Sequence, residues 1–345
     1  MRRPTLPTVL TWAGLLVSLL FTYLAFRGID FGALRRALVE SEYWMLGPAL
    51  IILALAIFLR AVRWRILFSP GARPPLGIVT NALMIGYFFN MVLPARAGEA
   101  ARVLALRQRA GTPRFEGLGT VVAERALDVL ALLVLLFAVD SSLPDAAWLP
   151  SALVVGAIMF VAIAVAFVAF ALYGERPARI LLRPLALFPR MSKERRDLAA
   201  RNLVLGFAVF RRPSIAVPAF ALTFLSWLLI ALAFWLCMDG FDLGVGFAAG
   251  IFVVVAVNLA LIVPSGPAGI GVFEAATLVA LLTYDVDRSS ALSYALVLHA
   301  INSIPFIVFG YVALHYHTVA VKRRRPDLSA AGLGGRPDER AAPLR

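Results

Sequence analysis

Nine apolar runs, none shorter than 17 residues, follow one another along the chain: 7–26, 43–59, 76–93, 117–139, 148–173, 214–238, 243–263, 268–284 and 290–316. A helix rises about 1.5 Å per residue, so roughly 20 apolar residues cross the ~30 Å hydrocarbon core of a bilayer. Lipid offers backbone N–H and C=O groups no partners, and runs of this length satisfy them within helices. A soluble domain is excluded, because 61% of residues are hydrophobic and only 15% charged, against about 25% charged in soluble proteins. The expected fold class is all-α: a polytopic helical membrane protein with six to eight full spans and at least one re-entrant half-helix. Residues 1–321 form the membrane domain. Residues 322–345, basic and then rich in Gly, Pro and Ala, form a tail with nothing to bury.

Charge gives the chain an orientation. The net charge of +13 sits in short loops, so it marks the cytoplasmic side of a membrane and does not form a nucleic-acid patch. Basic residues cluster at 60–75 (Arg60, Arg63, Arg65, Arg73), 94–114, 174–213 and 322–325, whereas Asp140, Asp145, Asp239, Asp242, Asp285 and Asp287 occupy loops almost free of Arg and Lys. With Arg2 and Arg3 also inside, both termini are cytoplasmic and the crossings are even in number. Nine runs cannot all cross. The run 76–93 is the one expected to turn back, since basic clusters flank it and Pro94 follows Asn90. Runs 243–263 and 268–284 are two spans or a second re-entrant hairpin. The first run exceeds a signal h-region and is read as a retained span in the cell's inner (plasma) membrane. Segment 30–42 patterns as an interfacial helix.

Three polar clusters fall within or beside these runs, where an ionisable group normally faces protein or water. In NMVLPARAGEAARVL (90–104), Arg96, Glu99 and Arg102 follow one another at helical spacing beyond Pro94, with Asn90 and Gly98 nearby. In VVAERALDVLALL (121–133), Glu124, Arg125 and Asp128 form either a proton relay or a helix lock. In NLALIVPSGPAGIGVFEAA (258–276), a Pro/Gly turn opens a helix bearing Glu274. The free amides of such a helix N-terminus attract anions. Asn258, Gly269, Gly271 and Glu274 are therefore candidates alongside Asn90, Arg96, Glu99 and Arg102 for binding substrate. The two broken segments echo each other as an inverted repeat would. His299, Asn302 and Ser303 form a polar stripe in the last run and are read as an interhelical hydrogen-bonding set. Cys237 has no partner, no metal spacing or Gly-x-Ser-x-Gly elbow occurs, and no cofactor is expected.

On LPARAGEAAR (93–102), ERALD (124–128) and PSGPAGIGVFE (264–274), the chain resembles the lysylphosphatidylglycerol synthase transmembrane-region family over about residues 8 to 316. Ala268 stands where that family often has Gly, and Phe273 where a basic residue is common. The resemblance implies a lipid-flippase-like membrane domain, and the chain stops soon after its last span, so the cytoplasmic aminoacyl-transfer domain of the full synthases is expected to be missing. The residues and the resemblance together lead to a lipid transporter that moves an anionic phospholipid or polyprenyl-linked lipid between leaflets, more a carrier than an enzyme. Two alternatives stay open: a membrane-embedded transferase or accessory subunit in envelope-lipid or glycolipid synthesis, and a scaffold. The partner expected is membrane lipid, with a cytoplasmic or membrane enzyme as a second candidate.

The charge parity yields a test. With Cys237→Ala as background, single cysteines placed in 94–114 should react only after the cytoplasmic face is opened. Labelling from outside in intact cells would contradict the topology.

Overall fold

The computed structural model describes residues 6–69, 71, 73–93, 97–144, 149–173, 194, 212–262 and 265–330. Arg96, Pro94, most of 174–213 and the chain beyond 330 lie outside the described residues. Within them the chain forms eleven α-helices and no strand: α1 (Leu6–Phe26), α2 (Phe31–Glu40), α3 (Leu46–Ile66), α4 (Leu76–Val92), α5 (Gly98–Ala110), α6 (Arg114–Val139), α7 (Leu149–Tyr173), α8 (Pro213–Gly240), α9 (Phe247–Ala260), α10 (Val272–Leu282) and α11 (Arg288–Ala330). The all-α polytopic reading holds. α11 continues into the stretch 322–345, for which the composition suggested no ordered structure.

Six helices, α1, α3, α6, α7, α8 and α11, have 21 residues or more, enough for a length of at least about 31 Å. Over the described residues, 43–66, 213–240 and 288–321 are both long and apolar enough to cross a membrane, and α1 passes the same test only together with α2, from which it is bent by 86°. That bend lays α2 across one end of the bundle, as its sequence pattern suggested. Asp30 caps α2, accepting from the backbone N–H groups of Gly32 and Ala33 at 2.7 and 3.1 Å. The Ala33 donor first, then the Gly32 donor, holds its carboxyl below the usual carboxylate range. The same end gathers Glu40, Glu42, Asp239 and Asp242. Arg65, Arg107, Arg109 and Arg212 mark the other, basic end.

Between these ends sit two broken hairpins pointing in opposite directions. α4 stops because Leu93, which precedes Pro94, is forced into an extended conformation (φ −109°, ψ 146°). α5 packs antiparallel to α4. Gly98 fits directly against α4, its N–H donating to Asn90 Oδ1 at 2.9 Å, and a Cβ there would lie 1.9 Å from the Gly86 carbonyl oxygen. At the basic end α5 finishes on Gly111 (φ +70°). The second hairpin starts from the acidic end. Its helices, α9 and α10, have only 14 and 11 residues and cannot each span the ~30 Å core. They are joined through a turn in which Ala268, Gly269 and Gly271 all take positive φ (55°, 73° and 84°). That turn touches α4, so the two tips meet inside the bundle.

The long helices pack across the two hairpins. α3 packs antiparallel along α8, with Glu42 N–H bonded to the Gly240 carbonyl at one end and Arg63 to Thr223 towards the other. α11 packs on α4 of the first hairpin, and α6 packs on α9 of the second. Each hairpin is thus clasped by a long helix of the opposite half. Close approach replaces the hydrophobic drive that lipid removes: a Cβ at Gly310 would lie 2.6 Å from Phe88, and one at Gly250 would lie 2.7 Å from the Ala231 carbonyl oxygen.

The first hairpin therefore depends on a bare backbone at position 98. Gly98→Ala should lower thermal stability in detergent by about 1–3 kcal/mol or more, as overpacking of a filled core does. Gly77→Ala, whose Cβ meets nothing within 4 Å, should be neutral or slightly stabilising. Melting curves of the two variants check the contrast.

Candidate functional site

A cavity of about 740 Å³ lies where the hairpin tips meet. Its polar part is formed by Arg60 of α3, Tyr87 and Asn90 of α4, Glu99 of α5, Arg125 of α6, Asn258 of α9 and Asn302 of α11, with Gly266, Ala268 and Gly269 of the second tip as a backbone wall. The rest is apolar. Ile51 and Ala54 of α3 and Phe309 of α11 line it and also face outward, Ile51 being 72% and Phe309 63% exposed. The cavity therefore runs from a polar pocket to an apolar side window in the membrane-facing wall.

Behind the polar part lies a buried ion network. Arg63 reaches Glu124 at 2.7 Å and Asp128 at 2.5 Å, and Arg102 reaches Glu99 at 2.5 Å and Glu124 at 3.1 Å. Arg125 bridges Glu124 and Asp128 at 3.0 and 3.1 Å. Thr223 accepts from Arg63 and Trp227 Nε1 donates to Asp128, both at 3.1 Å, while the Arg102 guanidinium lies 4.6 Å above the Trp64 ring. One cluster thus ties α3, α5, α6 and α8 together. Arg63, Glu124, Asp128 and Arg102 are all under 4% exposed as residues. A carboxylate held by two or three guanidinium groups is poorly placed to shuttle protons. The geometry joins Glu124, Arg125 and Asp128 to Arg63 and Arg102 of other helices.

At the other tip, Glu274 is enclosed by its own surroundings. One carboxylate oxygen accepts the Gly271 N–H at 2.7 Å, and the other pairs with His299 Nδ1 at 2.5 Å. Phe273 stacks on the His299 ring at 4.5 Å. His299 thus makes the interhelical bond its position suggested. The carboxylate also occupies the α10 N-terminus, the place considered for a ligand anion. Gly271 packs against Ser18 and Thr22 of α1.

The candidate residues consequently separate. Asn90, Glu99, Asn258, Gly269 and Arg125 share the cavity wall. Arg102, Gly271 and Glu274 lie behind it, Arg102 bound through both Nη atoms to Glu99 and Glu124 and Gly271 bonded to Glu274, and Arg96 is outside the described residues. Arg60 and Arg63 correct the sequence reading. They were assigned to a cytoplasmic loop cluster beginning at 60, yet α3 runs on to Ile66 and buries both, at 8% and 0% exposure. Acidic partners from the distant α6 make the burial of Arg63 tolerable, while Arg60 lies over the Trp227 ring, and no local pattern reveals either contact. One signal was available: Arg60 and Arg63 extend the stripe of Ala49, Leu53 and Ala56, which faces inward along α3.

Known proteins are similar to this chain in sequence. A stretch of 121 residues, 35% of this chain, is 32% identical to the glycosyltransferase AglD of Haloferax volcanii, and it spans only 19% of that protein. A longer stretch of 230 residues, 66% of this chain, is 23% identical to a UPF0104 membrane protein of Methanocaldococcus jannaschii and covers 93% of it. Residues 11–310 match the lysylphosphatidylglycerol synthase TM region, and the chain belongs to that family.

Proposed function

We propose that the protein moves a lipid, an anionic phospholipid or a polyprenyl-linked lipid, between the leaflets of a cell's inner membrane, with its basic end in the cytoplasm and both termini there. The observation that carries this reading is the two-part cavity, whose polar pocket lies at the meeting hairpin tips and whose apolar window opens between α3 and α11. A head group would sit against Asn90, Asn258 and Arg125 while its chains stay in hydrocarbon. Head groups do not cross a bilayer unaided because the core offers them no hydrogen-bonding partners. Two opposed hairpins with touching tips give a place where access can change from one side to the other with little motion of the long helices.

The identity to a protein named a glycosyltransferase favours a glycolipid among the polyprenyl-linked candidates, and it keeps service to a glycolipid enzyme as a second reading. Acting itself as a transferase is less well supported. Glu99, the carboxylate in the cavity wall, is already engaged by Arg102 and faces Arg125 at 3.8 Å, so its oxygens are occupied by ion pairs and not left open to a substrate hydroxyl, as a general base's must be.

Reconstitution in liposomes tests the proposal. Wild-type protein should let a membrane-impermeant quencher reach lipid that began in the inner leaflet. Arg125→Gln should slow this roughly 10- to 100-fold, the value of one charge-assisted contact, while Arg107→Gln, an exposed site in the last turn of α5, should not. Wild-type protein that leaves the inner leaflet protected for every lipid offered would refute the reading.

A further inference from the structure

The polar pocket carries one positive charge more than it can neutralise. Four arginines, Arg60, Arg63, Arg102 and Arg125, stand with three carboxylates, Glu99, Glu124 and Asp128. Arg63, Arg102 and Arg125 each pair with at least one of those acids. Arg60 makes no ion pair within 4 Å among the described residues, and Asp128 attracts it only from farther off. Its guanidinium lies 4.1 Å from the centre of the Trp227 ring, its Nε and Nη2 have no hydrogen-bond partner, and the residue is 8% exposed while lining the cavity. The Tyr87 hydroxyl, on the same cavity wall, is likewise buried without a partner.

An unpaired buried guanidinium is costly, and cation–π contact with Trp227 offsets only part of that cost. The planar fork, held flat on an indole and left open at its edge, is the arrangement that takes a phosphate by two parallel N–H bonds. We infer that Arg60 is the residue that selects the cargo, binding the phosphate of a lipid whose head group brings net negative charge, with Tyr87 as a second donor. The excess charge makes the choice. An anionic phosphodiester or diphosphate lipid neutralises the pocket, whereas a zwitterionic lipid adds a cation to a site already positive. This inference rests on the lipid-transport reading for the source of the phosphate, and it concerns binding, so it can be measured without any transport.

The purified full chain in detergent is titrated with short-chain phosphatidylglycerol, with phosphatidylcholine of the same chains, and with inorganic phosphate, with heats of binding recorded. Phosphatidylglycerol should bind about tenfold or more tighter than phosphatidylcholine, and inorganic phosphate, lacking chains for the apolar window, far more weakly than either. Arg60→Gln should remove the preference between the two lipids and Arg60→Lys should keep most of it, with melting temperatures showing that both variants are folded. A preference that survives Arg60→Gln in folded protein, or equal affinity of wild type for the two lipids, would overturn the assignment. Inorganic phosphate binding as tightly as phosphatidylglycerol would overturn the lipid source. Selective binding without lipid movement in liposomes would leave the Arg60 assignment standing and remove the transport function.

Discussion

The clamp of Arg63 on Glu124 and Asp128 is the contact on which the rest of the architecture depends. Four helices meet at it, and each brings a group the others require: the guanidinium from α3, the carboxylates from α6, the hydroxyl of Thr223 and the indole N–H of Trp227 from α8, and Arg102 with Glu99 from α5. In a bilayer, apolar surface alone does not choose between helix partners, because lipid is as apolar as the helices. Charges that can be satisfied in one arrangement only do choose. The network thereby fixes the first hairpin against the α3–α8 pair, and it places Asn90 and the tip of that hairpin beside the cavity.

The second hairpin is held by different chemistry. Gly271 tucks against α1, Glu274 closes the open amide of its own helix, and His299 of α11 ties that carboxylate to the long last helix. One tip is anchored by arginine and carboxylate, the other by a single carboxylate–imidazole pair and close backbone contact. The two opposed hairpins are therefore not held by equal bonding. The first hairpin is the more firmly fixed of the two, and the strained φ of Ala268 lies in the other.

Much of this was legible in the sequence. The all-helical membrane class, the turn after Asn90 and the breaks around 264–271 followed from apolar run length, Pro and Gly. Asn90, Glu99, Asn258 and Gly269 were singled out and the fold brings them to one wall. The depth of α3 was not legible: Arg60 and Arg63 look like loop charges until Glu124 and Asp128, more than sixty residues away, are known to pair with Arg63, and Trp227 to lie under Arg60. The sorting of Arg102 and Glu274 away from the cavity was equally hidden, since helical spacing shows which residues share a face but not what the face meets. Arg125, considered only with its two acidic neighbours, turned out to look both ways, into the network and into the cavity.

The central claim is that the Arg63–Asp128 contact is a structural lock built from mutually dependent charges. A double-mutant cycle on thermal stability measures it directly. Arg63→Met and Asp128→Leu should each cost about 3–5 kcal/mol by leaving a buried charge without its partner, and the double variant should recover a large part of that loss. Losses that simply add, or single variants as stable as wild type, would contradict the account.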